Sequence, residues 1–372
     1  MYRGIALSRM HCFIVFRSLI FVVVAAAAEK KDEKNVSNSL LEERRVRDSR
    51  RAFDVAVIGS GYAGLACGLM LGRHLVRTVM FNTGRTRNAN TRRIHGYLGF
   101  ENKSPLSLLE QAQRDVKLYE SVVSIPEKVT SLACCNNNGG GGVDDRDGDY
   151  SQFLLRAGGR QYRVKFVVIA TGVKDVKPEI DGFEKFDGNG AWHCPYCDGQ
   201  EVTAKRLAVI VSGDRPMAYV KEFLGWTRDI IVFPHRVRLD RVAREQAAAL
   251  GIRIIDDTIG KMTGRAGRNP KTLVGGKGRY AADVLFYRLG YQVQTDLAEQ
   301  VGCKLDRGYV KVDKEQQTSV AGVFAAGDID NDRHYVALAT AAGARAAMAI
   351  YERLLSEAIK STMKKRNKSN RT

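Results

Sequence analysis

The residues with the clearest capacity for chemistry are two cysteines three positions apart, Cys194 and Cys197. Such thiols can close a small ring, so that one attacks a substrate and the other resolves the mixed disulfide. At a helix N-terminus their pKa would fall, and Asp198 follows within reach to carry the proton. A zinc site needs four ligands, and no second cysteine pair of this spacing or paired histidines supply the rest. The run predicts a redox dithiol, with Cys194, Cys197 and Asp198 as catalytic residues and no metal.

A glycine turn near the start of the chain matches the pattern G-x-G-x-x-G, with Gly59, Gly61 and Gly64 as its glycines. A buried-strand pattern precedes the turn and a helical pattern, Ala63–His74, follows it. These glycines allow a tight turn, close approach to a pyrophosphate and close packing of helix on strand. A carboxylate is expected after the second strand to hold ribose hydroxyls, but Asn82 stands there as a weaker, uncharged partner. The turn predicts a dinucleotide site.

A second strand–turn–helix pattern begins at Leu207–Val211, but its turn departs from the nucleotide-binding pattern. Gly213 remains, whereas Arg215 stands where a small residue would let the backbone approach phosphate. After the next strand, Arg236 and Arg238 resemble a cluster that reads a 2′-phosphate, and a solvated basic loop has the same composition. Gly213, Arg236 and Arg238 are therefore candidate NADP-binding residues of an eroded site.

The alternation of strand and helix patterns from Phe53 onward predicts an α/β fold with two Rossmann-like domains, the second inserted into the first. A low-complexity run at 136–149 predicts a flexible loop between two strands, at a hairpin. The predicted boundaries are 51–190 with 291–358 for the first domain, 191–290 for the second domain with the dithiol, 1–28 for a targeting segment, 29–50 for a charged linker and 359–372 for a basic tail.

The net charge of +18 is concentrated at the two ends of the chain. Residues 1–50 have ten basic and six acidic side chains, and residues 359–372 have six basic and none acidic, which leaves +8 between them. Basic tails are usually solvated and disordered. No stacking or groove-reading motif accompanies the charge, so nucleic acid is not an expected partner.

The N-terminal segment has the features of a targeting signal. The apolar stretch Ser18–Ala28 follows several arginines, is too short to span a bilayer, and ends in small residues, as a secretory signal peptide does. We expect the ER lumen or secretion. A mitochondrial presequence is the alternative, since no acidic residue precedes Glu29, and a start codon at Met10 or later would leave the protein cytoplasmic.

The remaining cysteines do not form a disulfide framework, because seven is an odd number and their spacing is irregular. Cys67 and Cys303 lie in apolar contexts and are predicted to be buried, inert thiols. Cys134 and Cys135 open the low-complexity insert.

Four motifs in order resemble the low-molecular-weight thioredoxin reductases, which are FAD-dependent pyridine nucleotide-disulfide oxidoreductases. They are Gly59–Gly64, Ala170-Thr171-Gly172, Cys194–Gly199 and Ala326-Gly327-Asp328, and the resemblance covers roughly 53–355. The run Arg87-Asn88 with His95-Gly96-Tyr97-Leu98 is similar to the dithiol oxidases of the gliotoxin and holomycin type. Within the family, the chain therefore most resembles the branch of these dithiol oxidases, which belong to secondary metabolism.

The resemblance implies FAD as cofactor, two FAD/NAD(P)-type domains and a homodimer. It implies Cys194 as the interchange thiol, Cys197 as the flavin-proximal thiol and Asp198 as the acid–base residue. The implied cofactor-binding residues are Gly59, Gly61, Gly64, Asn82, Asn88, Thr171, Gly172, Gly327, Asp328, Val336 and Ala337.

Three functions remain open on this sequence. In the first, a small-molecule or peptide dithiol reduces the disulfide and oxygen is the terminal acceptor, which the eroded second turn favours. In the second, NADPH reduces the enzyme and a thioredoxin or small disulfide is the product, which Asp198 and the Arg236/Arg238 pair favour. In the third, the chain is a non-catalytic flavin-binding scaffold, which predicts a damaged dithiol or cofactor turn. Neither is damaged, and we favour the oxidase.

Overall fold

The computed structural model describes residues 53–84, 86–135, 152–213, 215–265 and 271–369. The targeting segment, the linker and the low-complexity insert therefore lie outside the described residues. The strands are β1 (Val55–Ile58), β2 (Thr78–Phe81), β3 (Val122–Ile125), β4 (Val129–Cys134), β5 (Phe153–Ala157), β6 (Arg160–Val164), β7 (Phe166–Ile169), β8 (Val173–Asp175), β9 (Ala191–Trp192), β10 (Leu207–Val211), β11 (Ile230–Pro234), β12 (Arg253–Ile254), β13 (Ile259–Thr263), β14 (Lys271–Gly275), β15 (Arg279–Ala282), β16 (Val284–Arg288), β17 (Tyr291–Val293), β18 (Leu305–Asp306), β19 (Tyr309–Val310) and β20 (Val323–Ala325).

Seven α-helices and three short 3₁₀ turns connect these strands in the described part of the chain. The helices are α1 (Tyr62–Arg73), α2 (Pro105–Lys117), α3 (Pro195–Asp198), α4 (Pro216–Lys221), α5 (Arg241–Ala249), α6 (Asp296–Gln300) and α7 (Val336–Ser369), and the 3₁₀ turns are Phe183–Lys185, Gly199–Val202 and Glu222–Gly225.

The first sheet is parallel, with the strand order β20-β7-β1-β2-β3. Its strands β1, β2 and β7 are buried along their whole length, as expected for β-branched runs covered on both faces. Helices α1 and α7 pack closely because small residues face each other. A Cβ on Gly343 would lie 1.9 Å from the backbone oxygen of Ala63. This contact brings the start of α7 against the glycine turn.

The second sheet is also parallel, with the strand order β12-β11-β10-β16-β9. Its strand β9 comes directly before the dithiol and pairs with β16, so the edge of this sheet positions Cys194. The helix after β10 is short: α4 ends at Lys221, and a 3₁₀ turn follows it. Two parallel sheets with crossover helices confirm the predicted fold class.

The two sheets are linked by a two-stranded antiparallel ribbon, β8 with β17. In its register Val173 faces Val293 and Asp175 faces Tyr291. The chain leaves the first sheet along one strand and returns along the other. This order of strands fits one unit inserted into the other, while the boundaries at 190 and 291 stay a prediction.

Two predicted connections can be compared with the structure. Strand β4 pairs with β5 so that Cys134 faces Phe153, which confirms that the insert joins two strands of a hairpin. Residues 359–372 were predicted to be a basic tail, and such tails are usually disordered, but helix α7 continues through this segment to Ser369. No proline or glycine occurs after Gly343, so nothing in the sequence ends the helix. Among the described residues, no helix combines the length and the apolar composition that crossing a membrane requires.

Candidate functional site

A cavity of about 490 Å³ lies at the carboxyl ends of the first sheet's strands, and we call it the cofactor cavity. The segments after β1, β2, β7 and β20 all contribute to it, which is where nucleotides bind in open parallel sheets. Nine predicted cofactor residues line this cavity, namely Gly59, Gly61, Asn82, Asn88, Thr171, Gly172, Gly327, Asp328 and Val336. Gly64 and Ala337 are not among its lining residues.

The glycine turn has the geometry that its pattern predicts. Gly59 has φ +108°, and a Cβ there would lie 2.3 Å from the backbone oxygen of Ala170. A Cβ on Gly61 would meet open space, so the backbone of this residue is accessible from the cavity. A Cβ on Gly64 would lie 1.9 Å from the oxygen of Gly59, so Gly64 lets α1 pack against the turn. The first N–H groups of α1 have no intrahelical partner and remain free for phosphate.

Two buried polar atoms on the cavity wall have no hydrogen-bond partner within the described part of the chain, Asn88 Oδ1 and His334 Nε2. Such atoms are costly to bury unless a ligand satisfies them. The Asn88 amide nitrogen already donates to the Tyr62 hydroxyl at 3.2 Å, which holds its oxygen in place. Helix N–H groups at one part of the wall and unpaired polar atoms at another fit a dinucleotide such as FAD. By contrast, Asn82 Oδ1 accepts from Gly84 N–H at 2.7 Å and is partly used by its own loop.

A partly buried arginine connects the cofactor cavity to strand β8 of the antiparallel ribbon. Arg87 donates two hydrogen bonds to Asp175, from Nε at 2.8 Å and Nη2 at 2.6 Å, and its Nη1 donates to Asp328 at 3.0 Å. Burial acts to raise the pKa of Asp175, but Arg87 and nearby His193 lower it overall. His193 Nε2 lies 3.7 Å from Asp175 Oδ2, and burial lowers the pKa of this histidine. Asp328, one of the implied cofactor-binding residues, is therefore held by Arg87.

The dithiol is present as a disulfide between Cys194 and Cys197 at the start of α3. Cys194 is the N-cap residue of this four-residue helix, and Pro195 occupies its first turn. The Cys197 N–H donates to Cys194 Sγ at 3.2 Å. Because an N–H donor stabilises negative charge on sulfur, this contact favours a thiolate at Cys194 after reduction. Both cysteines are partly exposed.

Asp198 ends α3 and is 7% exposed. Burial raises the pKa of its carboxyl to about 7, while His95 lowers it and Glu201 raises it further. A carboxyl with a pKa near neutrality can both accept and return a proton at physiological pH. The position and the titration of Asp198 therefore fit the acid–base role that the sequence predicts.

The disulfide opens into a second cavity, of about 390 Å³, which we call the dithiol cavity. Several side chains line both this cavity and the cofactor cavity, so the two are neighbours across a common wall. The shared residues are Arg87, Asn88, His334, Tyr335 and Val336. Tyr196 and Tyr335 flank the dithiol cavity with ring centroids 6.4 Å apart, and Tyr196 is 56% exposed. The volume suits a small molecule.

The candidate NADP-binding residues follow adjacent strands of the second sheet. Gly213 follows β10 with φ +88°, and Arg236 and Arg238 follow β11. Both arginines are exposed, and Arg236 Nη2 contacts Glu179 Oε2 at 3.5 Å. The turn leads into α4, which has only six residues and no side-chain cap. Because β10 and β11 are adjacent parallel strands, these residues lie at the same edge of the second sheet.

The other described cysteines do not join the dithiol. Cys67 is buried as predicted, and burial raises the pKa of its thiol to about 12. Cys303 is buried and its thiol donates to Thr318 Oγ1 at 3.4 Å. In the described ranges, no group of three or more His, Cys, Asp or Glu side chains is arranged to hold a metal ion.

Arg87, Asp175 and His334 belong to the site, although no sequence pattern predicts a role for them. Arg87 contacts partners 88 and 241 positions away, so no local pattern could reveal its contacts. The only sequence signal for Arg87 is its position beside Asn88, in the run that resembles the dithiol oxidases.

Comparisons with known proteins agree with this geometry. The family model described as pyridine nucleotide-disulphide oxidoreductase matches residues 53–346. Thioredoxin reductase tcpT of Claviceps purpurea is 28% identical over 288 residues, 74% of this chain and 86% of that protein. The F component of the alkyl hydroperoxide reductase of Pseudomonas putida is 26% identical over 83% of this chain, which spans only 59% of that protein. The crystal structure of HlmI is 26% identical, with a TM-score of 0.76 over 86% of this chain and 97% of that one.

Proposed function

Because this chain belongs to the pyridine nucleotide-disulphide oxidoreductase family, whose members act on sulfur groups, we propose that it is an FAD-dependent dithiol oxidase. Its substrate is a small-molecule or peptide dithiol, and oxygen is the terminal acceptor. The observation that carries this proposal is the wall shared by the cofactor cavity and the dithiol cavity. A small dithiol can reach the disulfide from solvent while the disulfide lies beside the cofactor site.

The thiol chemistry can be written with this chain's own residues. A substrate thiolate attacks Cys194 Sγ, the Cys194–Cys197 bond breaks, and Cys197 leaves as a thiolate. The second substrate sulfur then attacks the first, which releases the oxidised substrate and leaves Cys194 as a thiolate beside the Cys197 N–H. One electron pair has moved from the substrate to the dithiol. Two protons leave the substrate, and Asp198, which lines the same cavity, is placed to accept one of them.

FAD, when bound, supplies the two-electron redox chemistry that returns the dithiol to the disulfide. The residues that would hold it are the glycine turn, Asn88, the Thr171-Gly172 pair, Asp328 and His334. Arg87 holds Asp328 in position. The proposal also includes a homodimer and a secretory location, because an oxidising compartment would suit a dithiol oxidase.

An NADPH-dependent disulfide reductase is the second candidate. The observation that favours it is the place of Arg236 and Arg238 after β11, where a basic pair would meet a 2′-phosphate. Two features argue against the reductase. The helix that would face the phosphates, α4, is short, and Arg215 directly precedes it.

Anaerobic bleaching of the flavin absorption band separates the two functions. The purified yellow protein is mixed with NADPH and, separately, with a dithiol. If only the dithiol bleaches the band, and air restores it with formation of peroxide, the protein is a dithiol oxidase. Rapid bleaching by micromolar NADPH would refute the oxidase and support the reductase.

A further inference from the structure

A third cavity, of about 300 Å³, lies behind the dithiol cavity and shares residues with it. We call it the rear cavity. Asp198 lines both cavities, so its carboxyl is part of the wall between them, together with Thr91, Arg93 and His95. The carboxyl that faces the dithiol on one side therefore has a separate cavity on the other.

Charged side chains are part of the lining of the rear cavity, and the cavity reaches the surface of the protein. Glu201 and Lys205 line it and are partly exposed, and Arg92 and Arg93 are exposed. A cavity of this volume accommodates roughly ten water molecules at the volume of liquid water, about 30 Å³ each. Its charged side chains offer those waters the partners that they need.

His95 and Glu201 occupy the wall of the rear cavity beside Asp198. His95 Nδ1 contacts Glu101 Oε1 at 2.6 Å, and His95 Nε2 lies 4.0 Å from Glu201 Oε1. Glu101 also accepts from the Gly96 N–H at 2.8 Å, so it fixes the orientation of the imidazole. The imidazole therefore lies between two carboxylates, one that orients it and one on the cavity wall.

We propose that Asp198 exchanges its proton with bulk water through the rear cavity, and that His95 and Glu201 are positioning residues for this exchange. A positive charge on His95 stabilises the carboxylate form of Asp198, and the negative charge of Glu201 stabilises its neutral form. His95 and Glu201 therefore set the pH at which Asp198 gains or loses its proton. Because the proton is exchanged through the rear cavity, the dithiol cavity stays free for substrate. This inference rests on the proposed function, in which Asp198 takes the substrate proton.

Other charged and titratable groups also surround Asp198. On the rear side they are Arg92, Arg93, Lys205, Lys271 and Asp283, and on the dithiol side they are His193, Tyr219, Glu222 and Arg288. His95 and Glu201 are the two whose charges act on the pKa of Asp198. Glu222 lines the dithiol cavity without such an effect on Asp198, so it provides a matched control.

The first test is a pH titration of the Asp198 carboxyl in the FAD-loaded protein, by ¹³C NMR after aspartate labelling, with D198N to assign the signal. We expect H95Q to raise the midpoint and E201Q to lower it, each by about 0.5 pH unit, the size of one partly screened neighbouring charge. E222Q should leave the midpoint in place. Unchanged midpoints in both H95Q and E201Q would overturn the inference.

The second test fills the rear cavity. Asn189 lines the rear cavity, and N189F places a ring where N189A leaves space. The rate at which dithiothreitol reduces the disulfide is followed by acid quench and thiol alkylation, without oxygen or NADPH. We expect N189F to be at least about fivefold slower than N189A, and equal rates would overturn the route. An unmodified protein that dithiothreitol cannot reduce would instead refute the proposed function.

Discussion

Replacing Asp198 by Asn should stabilise the folded protein at neutral and alkaline pH. Burial raises the pKa of this carboxyl from its ordinary 3.8 to about 7, so between these values the folded state binds more protons than the unfolded state. The free energy of unfolding therefore falls as the pH rises through this window. Asn has nearly the same shape and no charge, and it removes this loss.

The size of the effect follows from the two pKa values. A difference of one pKa unit corresponds to about 1.4 kcal/mol, so the rise from 3.8 to about 7 corresponds to at most about 4 kcal/mol above pH 8. Water in the adjoining cavities screens part of this, and we expect about 2 kcal/mol or more. Near pH 4 the two proteins should have nearly equal stability. The rate of dithiol exchange should meanwhile fall by about 100-fold, the usual contribution of a general acid–base group.

The assay is urea unfolding of both proteins from pH 4 to pH 9, followed by tryptophan fluorescence at a fixed saturating FAD concentration. Asp257 offers a control of opposite sign. Burial acts to raise its pKa, but the Lys277 N–H and the Tyr280 hydroxyl, at 2.9 and 2.8 Å, are among the donors that lower it. D257N should thus be less stable than the unmodified protein at pH 8, and this difference should disappear as the pH falls below about 4. A stability difference between D198N and the unmodified protein that stays constant from pH 5 to pH 8 would refute the reasoning.

Three further predictions concern the dithiol, the ion pairs of Arg87 and the glycine turn. C197S should remain yellow but lose turnover with dithiols. When it is mixed with the disulfide form of a substrate, mass spectrometry should find a mixed disulfide on Cys194, because the Cys194 thiolate attacks that disulfide and one substrate sulfur leaves as a thiolate; full turnover with dithiols would contradict the mechanism. R87Q leaves the partly buried Asp175 and Asp328 without their partner, so we expect a loss of about 2 kcal/mol in urea unfolding, which R87K only partly restores. G59A and G61A should both lose FAD absorbance, but when the FAD-free proteins are compared only G59A should have a lower melting temperature than the unmodified chain, because its Cβ would overlap the Ala170 oxygen. Equal melting temperatures would show that the turn tolerates a side chain.

The fold could be predicted from the sequence because its signals are local. Short apolar runs such as Val55–Ile58 and Leu207–Val211 are followed by glycine turns and helical patterns, and the structure forms buried strands there. The glycine turn and the dithiol are each a short continuous run of residues, so their geometry could be predicted from the run itself. The end of α7 was not predicted, since a basic composition was interpreted as a disordered tail although no residue in it breaks a helix.

The contacts between distant segments could not be predicted in the same way. Nothing near Arg87 indicates that it holds both Asp175 and Asp328, and nothing near Asp198 indicates a cavity on each side of it. The raised pKa of Asp198 depends on burial, which the packing of the whole unit determines. The acid–base residue could thus be identified from its place beside the dithiol, whereas its environment required the structure.

The ribbon of β8 and β17 has a consequence for how this architecture can change over evolution. Both crossings of the chain lie side by side, with Val173 opposite Val293 and the Gln294 N–H bonded to the Gly172 oxygen at 3.0 Å. The segment between them can therefore be exchanged or lost without separating any strands of the first sheet, because a short turn could close the same ribbon. The dithiol lies in that exchangeable segment, and most of the cofactor cavity lies outside it. New thiol chemistry can thus be acquired by replacing one module while the cofactor module is inherited unchanged.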